Sequence, residues 1–292
     1  MAATFAQIRS ATYSILNDTD TSNVYTQALV DQTINDQYVE LCASRKWSFL
    51  RSKKLFAPPA DTTLSTAITT ASTTVVLAST TNLETSGAIW IDHDVIDYAS
   101  YASTTLSGVT NIGMSHAAGV KVYPLVVLPT DYGRQPVLLR KISGASRFFQ
   151  MNQVDEMLWD DITLNNDLKY NKYCIVNDES DTPLYLRIEG ANTGDVMAFY
   201  YNKKPTTLSS DADTTVIPDP WALKILPKMS AVSAMYMLGD NLDNQAQDVE
   251  RQMMKELMAM RKYYGQRDEG ATDFISTTYT VRPRRGNPYT YR

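Results

Sequence analysis

Apolar residues recur along the first stretch of the chain at Phe5, Ile8, Tyr13 and Leu16, on one face of a helix written TFAQIRSATYSILND. A polar break rich in capping residues, Asn17–Asn23, separates it from a second helix predicted from about Val24 to Arg45. Val30, Ile34, Tyr38, Leu41 and Cys42 keep the helical rhythm there, and Trp47, Phe49 and Leu50 are placed to anchor its end. Two prolines in APPADTT (57–63) stop regular structure. From Leu64 the chain becomes Thr-rich and β-branched with closely spaced turn signals, the pattern of short strands. The reading is an inserted β-module at 61–123.

Strand-like runs of a different character continue from Pro124 to Pro218, namely PVLLRKIS, YNKYCIVND, PLYLRIEG and DVMAFYYNKKP. In the last of these Val196, Ala198 and Tyr200 alternate with Met197, Phe199 and Tyr201, so both faces are apolar and both are expected to be covered. Asn152–Asp161 reads as one helical island in this region. The end is helical again. A Pro-Asp-Pro signal opens a helix closing at Gly239, with Pro227 predicting a kink or restart. A long helix follows with Val249, Met253, Leu257, Met260 and Tyr264 on one stripe, and Gly265 is expected to end it.

The expected fold class is therefore α+β. The N- and C-terminal helices pack as a helical bundle around a central β region, with an inserted small β-domain and an extended C-terminal tail. The segments are 1–56 (N-terminal helices), 61–123 (β-module), 124–218 (β region), 219–266 (C-terminal helix pair) and 267–292 (tail). Ile34, Leu41, Met253 and Leu257 are expected to pack within or between subunits.

Composition narrows the function. The chain has 292 residues, 43% hydrophobic and 20% charged, enough for one large domain or two small ones. Tyrosine (18) outnumbers phenylalanine (7), which suits half-wet surfaces such as subunit contacts. A net charge of −5 argues against a general nucleic-acid binder. The last stretch, Ser276–Arg292, nonetheless carries Arg282, Arg284, Arg285 and Arg292 and no acid, so an acidic body bears a short basic tail. That tail is expected to dock on a partner. Two cysteines, Cys42 and Cys174, sit in apolar runs without metal-binding spacing. The N-terminus reads as an amphipathic helix start, not a signal peptide, and no run of about 18 apolar residues is present, so a soluble product without a membrane span is expected.

Candidate chemistry is sparse. Both histidines, His93 and His116, fall in one stretch, with Asp92, Asp94 and Asp97 beside the first. Metal binding needs at least three convergent ligands. Turns collect aspartate for hydrogen-bonding reasons alone, and the expectation is that Asp92 and Asp94 cap a turn with His93 at its solvent tip. No GxSxG, P-loop, GxGxxG or HExxH is present, and the acid pairs Asp155/Glu156 and Asp160/Asp161 are adjacent residues that do not face one another. No catalytic residue, cofactor or metal site is expected.

Several stretches resemble the head-to-tail adaptor proteins of tailed bacteriophages, the connector or tail-tubular family. They are LCASRKWSFL, the strand DVMAFYYNKKPTTLSSDADTTVIPDP, and the closing pair WALKILPKMSAVSAMYMLGD and DVERQMMKELMAMRKYYG. The insert is similar to a small β-module of phage neck and tail proteins at Gly87, Ile89, Ile91, Asp92, Ile96, Tyr98, Leu106, Gly108, Val109, Thr110, His116, Gly119 and Val122, departing at the shorter loop NIGMS. The resemblance implies a non-enzymatic virion protein of the neck, made in the host cytoplasm. It assembles as a closed ring of about twelve copies beneath the portal. Such a ring extends the channel through which genomic DNA passes without sequence recognition, and offers a surface to a downstream tail or nozzle protein. It also implies that Thr278–Arg292 docks on the portal protein, with Arg282, Arg284, Arg285, Tyr289, Tyr291 and Arg292 as anchors. Two other classes fit the sequence: a tail or baseplate receptor- or glycan-binding module using Trp90, and a virion cell-wall hydrolase.

Overall fold

The computed structural model describes residues 2–18, 24–155, 159, 171–176, 183–238 and 243–275; side chains beyond 264 are outside the description. The chain is mixed α and β, with four helices and four mostly antiparallel sheets among these residues. It divides into two compact units. One joins the two ends of the chain, 1–50 and 205–292; the other is 51–204.

The first unit holds all four helices: α1 (Phe5–Leu16), α2 (Gln27–Ala43), α3 (Trp221–Leu238) and α4 (Asp243–Ile275). Thr4 caps α1 through a reciprocal capping box with Gln7, and Asn17 closes it in the left-handed conformation. Thr26 caps α2, which begins three residues later than the sequence suggests because that hydroxyl accepts from the Leu29 amide. α3 packs against the other three helices. Their shared core contains Ile8, Val30, Ile34, Leu41, Ile225, Leu226 and Met260. Trp47 is fully buried, donates its indole N–H to the Leu41 carbonyl at 2.7 Å, and stacks on Phe49. Burying each such side chain contributes about 1.5–3 kcal/mol.

Of the sequence expectations about these helices, the restart at Pro227 does not occur and the stop at Gly265 is overturned. α3 runs through Pro227 as one element, with the proline buried in its core-facing side. Gly265 does not end α4, which continues to Ile275, so residues 267–275 are helical rather than extended. An interior glycine costs only about 1 kcal/mol, and the following QRDE segment has good helix formers to absorb it.

In the second unit, β1 (Arg51–Phe56), β15 (Val196–Lys203), β10 (Tyr132–Lys141) and β11 (Phe149–Gln150) make one sheet in that order. A second sheet runs β12 (Asn152–Gln153), β13 (Lys172–Val176), β14 (Tyr185–Glu189) and β9 (Val126–Val127). Leu138, Met197, Phe199 and Tyr201 of the first meet Val126, Tyr173 and Leu186 of the second in one core. The alternation in β15 is thus realised on one face. On the other, Ala198 is buried while Val196 is exposed, so that face is only partly covered. Asn152 and Gln153 pair in parallel with β13 instead of opening a helix, and most of that expected island lies outside the described residues.

Residues 61–123 build two small sheets around their own core of Leu64, Val75, Leu77, Ile89, Ile91, Ile96, Leu106 and Val122. The sheets are β2 (Thr62–Thr63), β8 (Lys121–Pro124), β4 (Gly87–Ile91) and β5 (Asp94–Tyr98), and β3 (Thr74–Val76), β7 (Thr105–Ser107) and β6 (Ser100–Ala102). Strand β4 is buried on both faces: Ile89 and Ile91 enter this core, while Ala88 and Trp90 enter a neighbouring cluster with Leu125, Cys174 and Tyr185. That is why AIWI is apolar throughout. Gly108 has φ of 64°, and a Cβ there would lie 2.9 Å from the Ala99 Cβ, so the turn after β7 requires glycine.

Candidate functional site

The histidine–aspartate stretch forms a hairpin. Asp92 and His93 join β4 to β5 with positive φ at both residues, 45° and 72°, the backbone of a type I′ turn. His93 is exposed and lies edge-on to Trp90. His116 is buried, its side chain 1% exposed, with Nε2 3.1 Å from Asp94 Oδ2 and Nδ1 3.5 Å from Asp92 Oδ2. The same Asp94 oxygen accepts from the backbone N–H of Gly113 at 2.8 Å and of Met114 at 3.2 Å. Asp97 accepts from the Tyr185 hydroxyl and the Asn111 side-chain amide, both at 2.6 Å. Burial, then Asp97, pushes the Tyr185 hydroxyl above its usual titration range. Asp94 and Asp97 are therefore engaged with the protein's own donors, while the Asp92 side chain is 60% exposed at the turn. Among the described residues no group of three or more His, Cys, Asp or Glu is placed to hold a metal ion. The cluster ties the 111–116 loop to the hairpin, and Asp94 does so across the turn instead of capping it.

A second constellation matches no sequence motif. The Arg187 guanidinium, from β14, lies over three rings: Trp90 of β4 at 4.6 Å, Tyr123 of β8 at 4.4 Å and Trp159 at 4.4 Å. Arg187 is 4% exposed and Trp90 5%. Lys172 stands beside the cage, its ammonium 4.2 Å from the Trp159 ring, donating to the Trp159 carbonyl and paired with Glu189. Cation–π contacts gain strength when desolvated, so the cage joins the module to the β sheet behind it. A sugar needs an open ring face, and Trp90 offers none. The one sequence signal is PLYLRIEG, an arginine on the inward-facing phase of an apolar strand.

A cavity of about 260 Å³ is lined by Phe56, Pro59, Leu83, Leu125 and Val126, and its carboxylate, Glu84, is held by Lys54 and the Val127 amide. Glu156, Asp160 and Asp161 lie outside the described residues, as do Arg282, Arg284, Arg285, Tyr289, Tyr291 and Arg292. Ile34, Leu41 and Leu257 are buried in the helical core and Met253 is half-buried at its edge. Cys42 and Cys174 are buried thiols. No helix among the described residues is long and apolar enough to cross a membrane.

Among many polar residues, the helical unit also exposes several large apolar ones. Leu223, Tyr236, Met237 and Leu238 of α3 and Met254, Met258 and Tyr263 of α4 are all solvent-facing, Met258 at 66%. α3 and α4, which pack against each other, carry all seven of these exposed apolar side chains. No protein-family model matches this chain, and no curated protein sequence matches it.

Proposed function

We propose that the protein is a non-enzymatic structural subunit of a tailed-phage neck, a head-to-tail adaptor that works as a ring beneath the portal. The observation that carries this reading is the exposed methionine- and tyrosine-bearing surface of α3 and α4. Methionine and tyrosine adapt to a partner while giving large contact area, and interfaces favour both. The helical unit, built from both ends of the chain, forms the ring body. Residues 278–292, with Arg282, Arg284, Arg285, Tyr289, Tyr291 and Arg292, dock on the portal protein, where many weak copies add by avidity. A downstream tail protein takes the opposite surface. The acidic body lets genomic DNA pass without sticking, since like charges repel.

Particle mass tests it, for the purified protein alone and after mixing with portal rings of the same phage. A roughly megadalton complex with portal, lost on deletion of Thr278–Arg292, supports the adaptor. A protein that ignores portal rings overturns it, and a glycan-binding screen then becomes the next test.

A further inference from the structure

We infer that the open edge of β1 takes an extended acidic segment of another protein, which joins the sheet as one more strand. Such a contact needs neither a ring nor a portal and goes beyond the function proposed above.

β1 ends its sheet, with β15 on one side only. Among the described residues no backbone–backbone hydrogen bond reaches Arg51–Phe56 from any segment other than β15. An open edge of six residues is a template for a further strand. Its two faces are set by β15, whose Met197, Phe199 and Tyr201 enter the core. The register then places Arg51, Lys53 and Leu55 beside Asn202, Tyr200 and Ala198 on the opposite, outer face. Lys53 accordingly lies over the Tyr200 ring, 5.4 Å from its centre. Leu55 is 56% exposed although its neighbour Ala198 is buried, because the sheet stops at β1.

Charge selects the occupant. The four strands of this sheet contain no Asp or Glu. Cations on their core-side phase are matched by carboxylates of the chain itself: Arg140 by Asp195, Lys54 by Glu84 and Lys203 by Asp131. On the outer face Arg51, Lys53 and Lys141 have no carboxylate partner among the described residues. A strand laid along β1 with acids opposite Arg51 and Lys53 and an apolar residue opposite Leu55 pairs both charges and covers the leucine.

The same strand of a second copy does not fit. The two fullest symmetric antiparallel self-pairings of β1 put Lys53 opposite Lys53 or Lys54 opposite Lys54, and like charges directly opposite destabilise a strand pair. Lysines on an edge work against that self-pairing and leave the edge to a strand of opposite charge. A nucleic acid meets the same cations but does not continue the backbone ladder, and that difference separates the two by experiment.

Peptide binding to the full-length protein tests the edge. The probe is a fluorescent peptide of alternating Glu and Val, about eight residues long, the length of an ordinary strand. It is expected to bind saturably and to slow amide hydrogen exchange within residues 51–56. The same peptide N-methylated throughout keeps every charge and lacks every backbone donor, and should bind about tenfold more weakly or worse to the unaltered protein. Arg51→Glu/Lys53→Glu should weaken the Glu–Val peptide about tenfold or more and let a Lys–Val peptide bind in its place. No binding of the Glu–Val peptide, or equal binding of its N-methylated form, overturns the inference. Oligodeoxythymidine that binds where the Glu–Val peptide does not would make this a nucleic-acid surface and overturn it as well. None of these readouts involves the portal, so a failure here leaves the adaptor reading standing, and a failure to bind portal rings leaves this edge standing.

Discussion

Asp94 holds His116 across the β4–β5 hairpin: Oδ2 of the carboxylate lies 3.1 Å from the ring Nε2 and also takes the amides of Gly113 and Met114. One oxygen thus anchors a loop of the module. Hydrogen bonds to a charged group contribute about 1.5–3 kcal/mol each and are not additive. Asp94→Ala is expected to destabilise the protein by about 2–4 kcal/mol, and Asp94→Asn, which keeps an acceptor, by less. Urea unfolding measures the difference. Hydrogen exchange should show the Gly113 and Met114 amides losing protection in the alanine variant; unchanged protection there would mean the loop is held by something else.

Arg187 should matter for shape as much as for charge. Truncation to alanine removes a plane seated against Trp90, Tyr123 and Trp159 and leaves a cavity among them. The expected cost is about 2–5 kcal/mol. Arg187→Lys keeps the charge but not the plane, so it should recover only part of the loss. Near-ultraviolet circular dichroism, which reports on the packing of the two tryptophans, should change in both variants. A spectrum identical to wild type in Arg187→Ala would refute the cage as a packing element.

These two anchors are differently legible from the helices around them. The helices at both ends and the strand-rich middle can be read from periodicity, because helical apolar stripes and short β-branched runs follow directly from burial of one face. Val30, Ile34 and Leu41 show this. The loop held by Asp94 cannot: its partners, Gly113 and Met114, are set by where a loop returns in space, which no local pattern encodes. Gly265 misleads about the extent of α4, because glycine resembles a stop signal in sequence yet is only a modest cost inside a packed helix. The Arg187 cage escapes a sequence reading because its rings come from β4, β8 and a segment before β13, and only tertiary folding brings them together.

A buried ion pair gives the acid limb of stability. Arg140 and Asp195 meet at 2.7 Å with both side chains almost wholly buried. Burial alone would raise the Asp195 carboxyl, but the amides of Asn192 and Ser143 and the Arg140 guanidinium outweigh it and hold it below its usual value. A depressed folded value means the carboxylate stabilises the fold above the unfolded value near 4, and that contribution is lost as pH falls through the folded value. Stability of the wild type should therefore fall more steeply below about pH 4 than that of Asp195→Asn. Arg140→Met, which leaves the carboxylate buried without its cation, should cost about 3–5 kcal/mol at neutral pH. Urea midpoints across the acid range check both; parallel pH profiles for wild type and Asp195→Asn would show that this pair does not set the acid limit.

The alkaline limb belongs to buried tyrosines. Burial pushes the hydroxyls of Tyr38 and Tyr173 up to about 12, with Tyr98 and Tyr185 also raised. The Tyr38 oxygen accepts from the Val216 amide, which opposes the rise, and Tyr173 donates to the Pro136 carbonyl at 3.0 Å. Raised folded values mean that the folded state keeps these protons longer than the unfolded chain, where tyrosine ionises near 10. Their contribution is intact below about pH 10 and drains away as pH rises from there through about 12. Tyrosinate absorbance should accordingly rise in two phases. Exposed tyrosines ionise first with the fold intact, and the buried set ionises together with loss of the far-ultraviolet signal. Tyr38→Phe removes one of the buried protons, so its stability should be lower at neutral pH, where the Val216 amide has lost its acceptor, yet should decline less steeply above about pH 10 than the wild type. A single smooth tyrosinate titration, finished before any unfolding, would place these hydroxyls in contact with water and refute the burial on which the prediction stands.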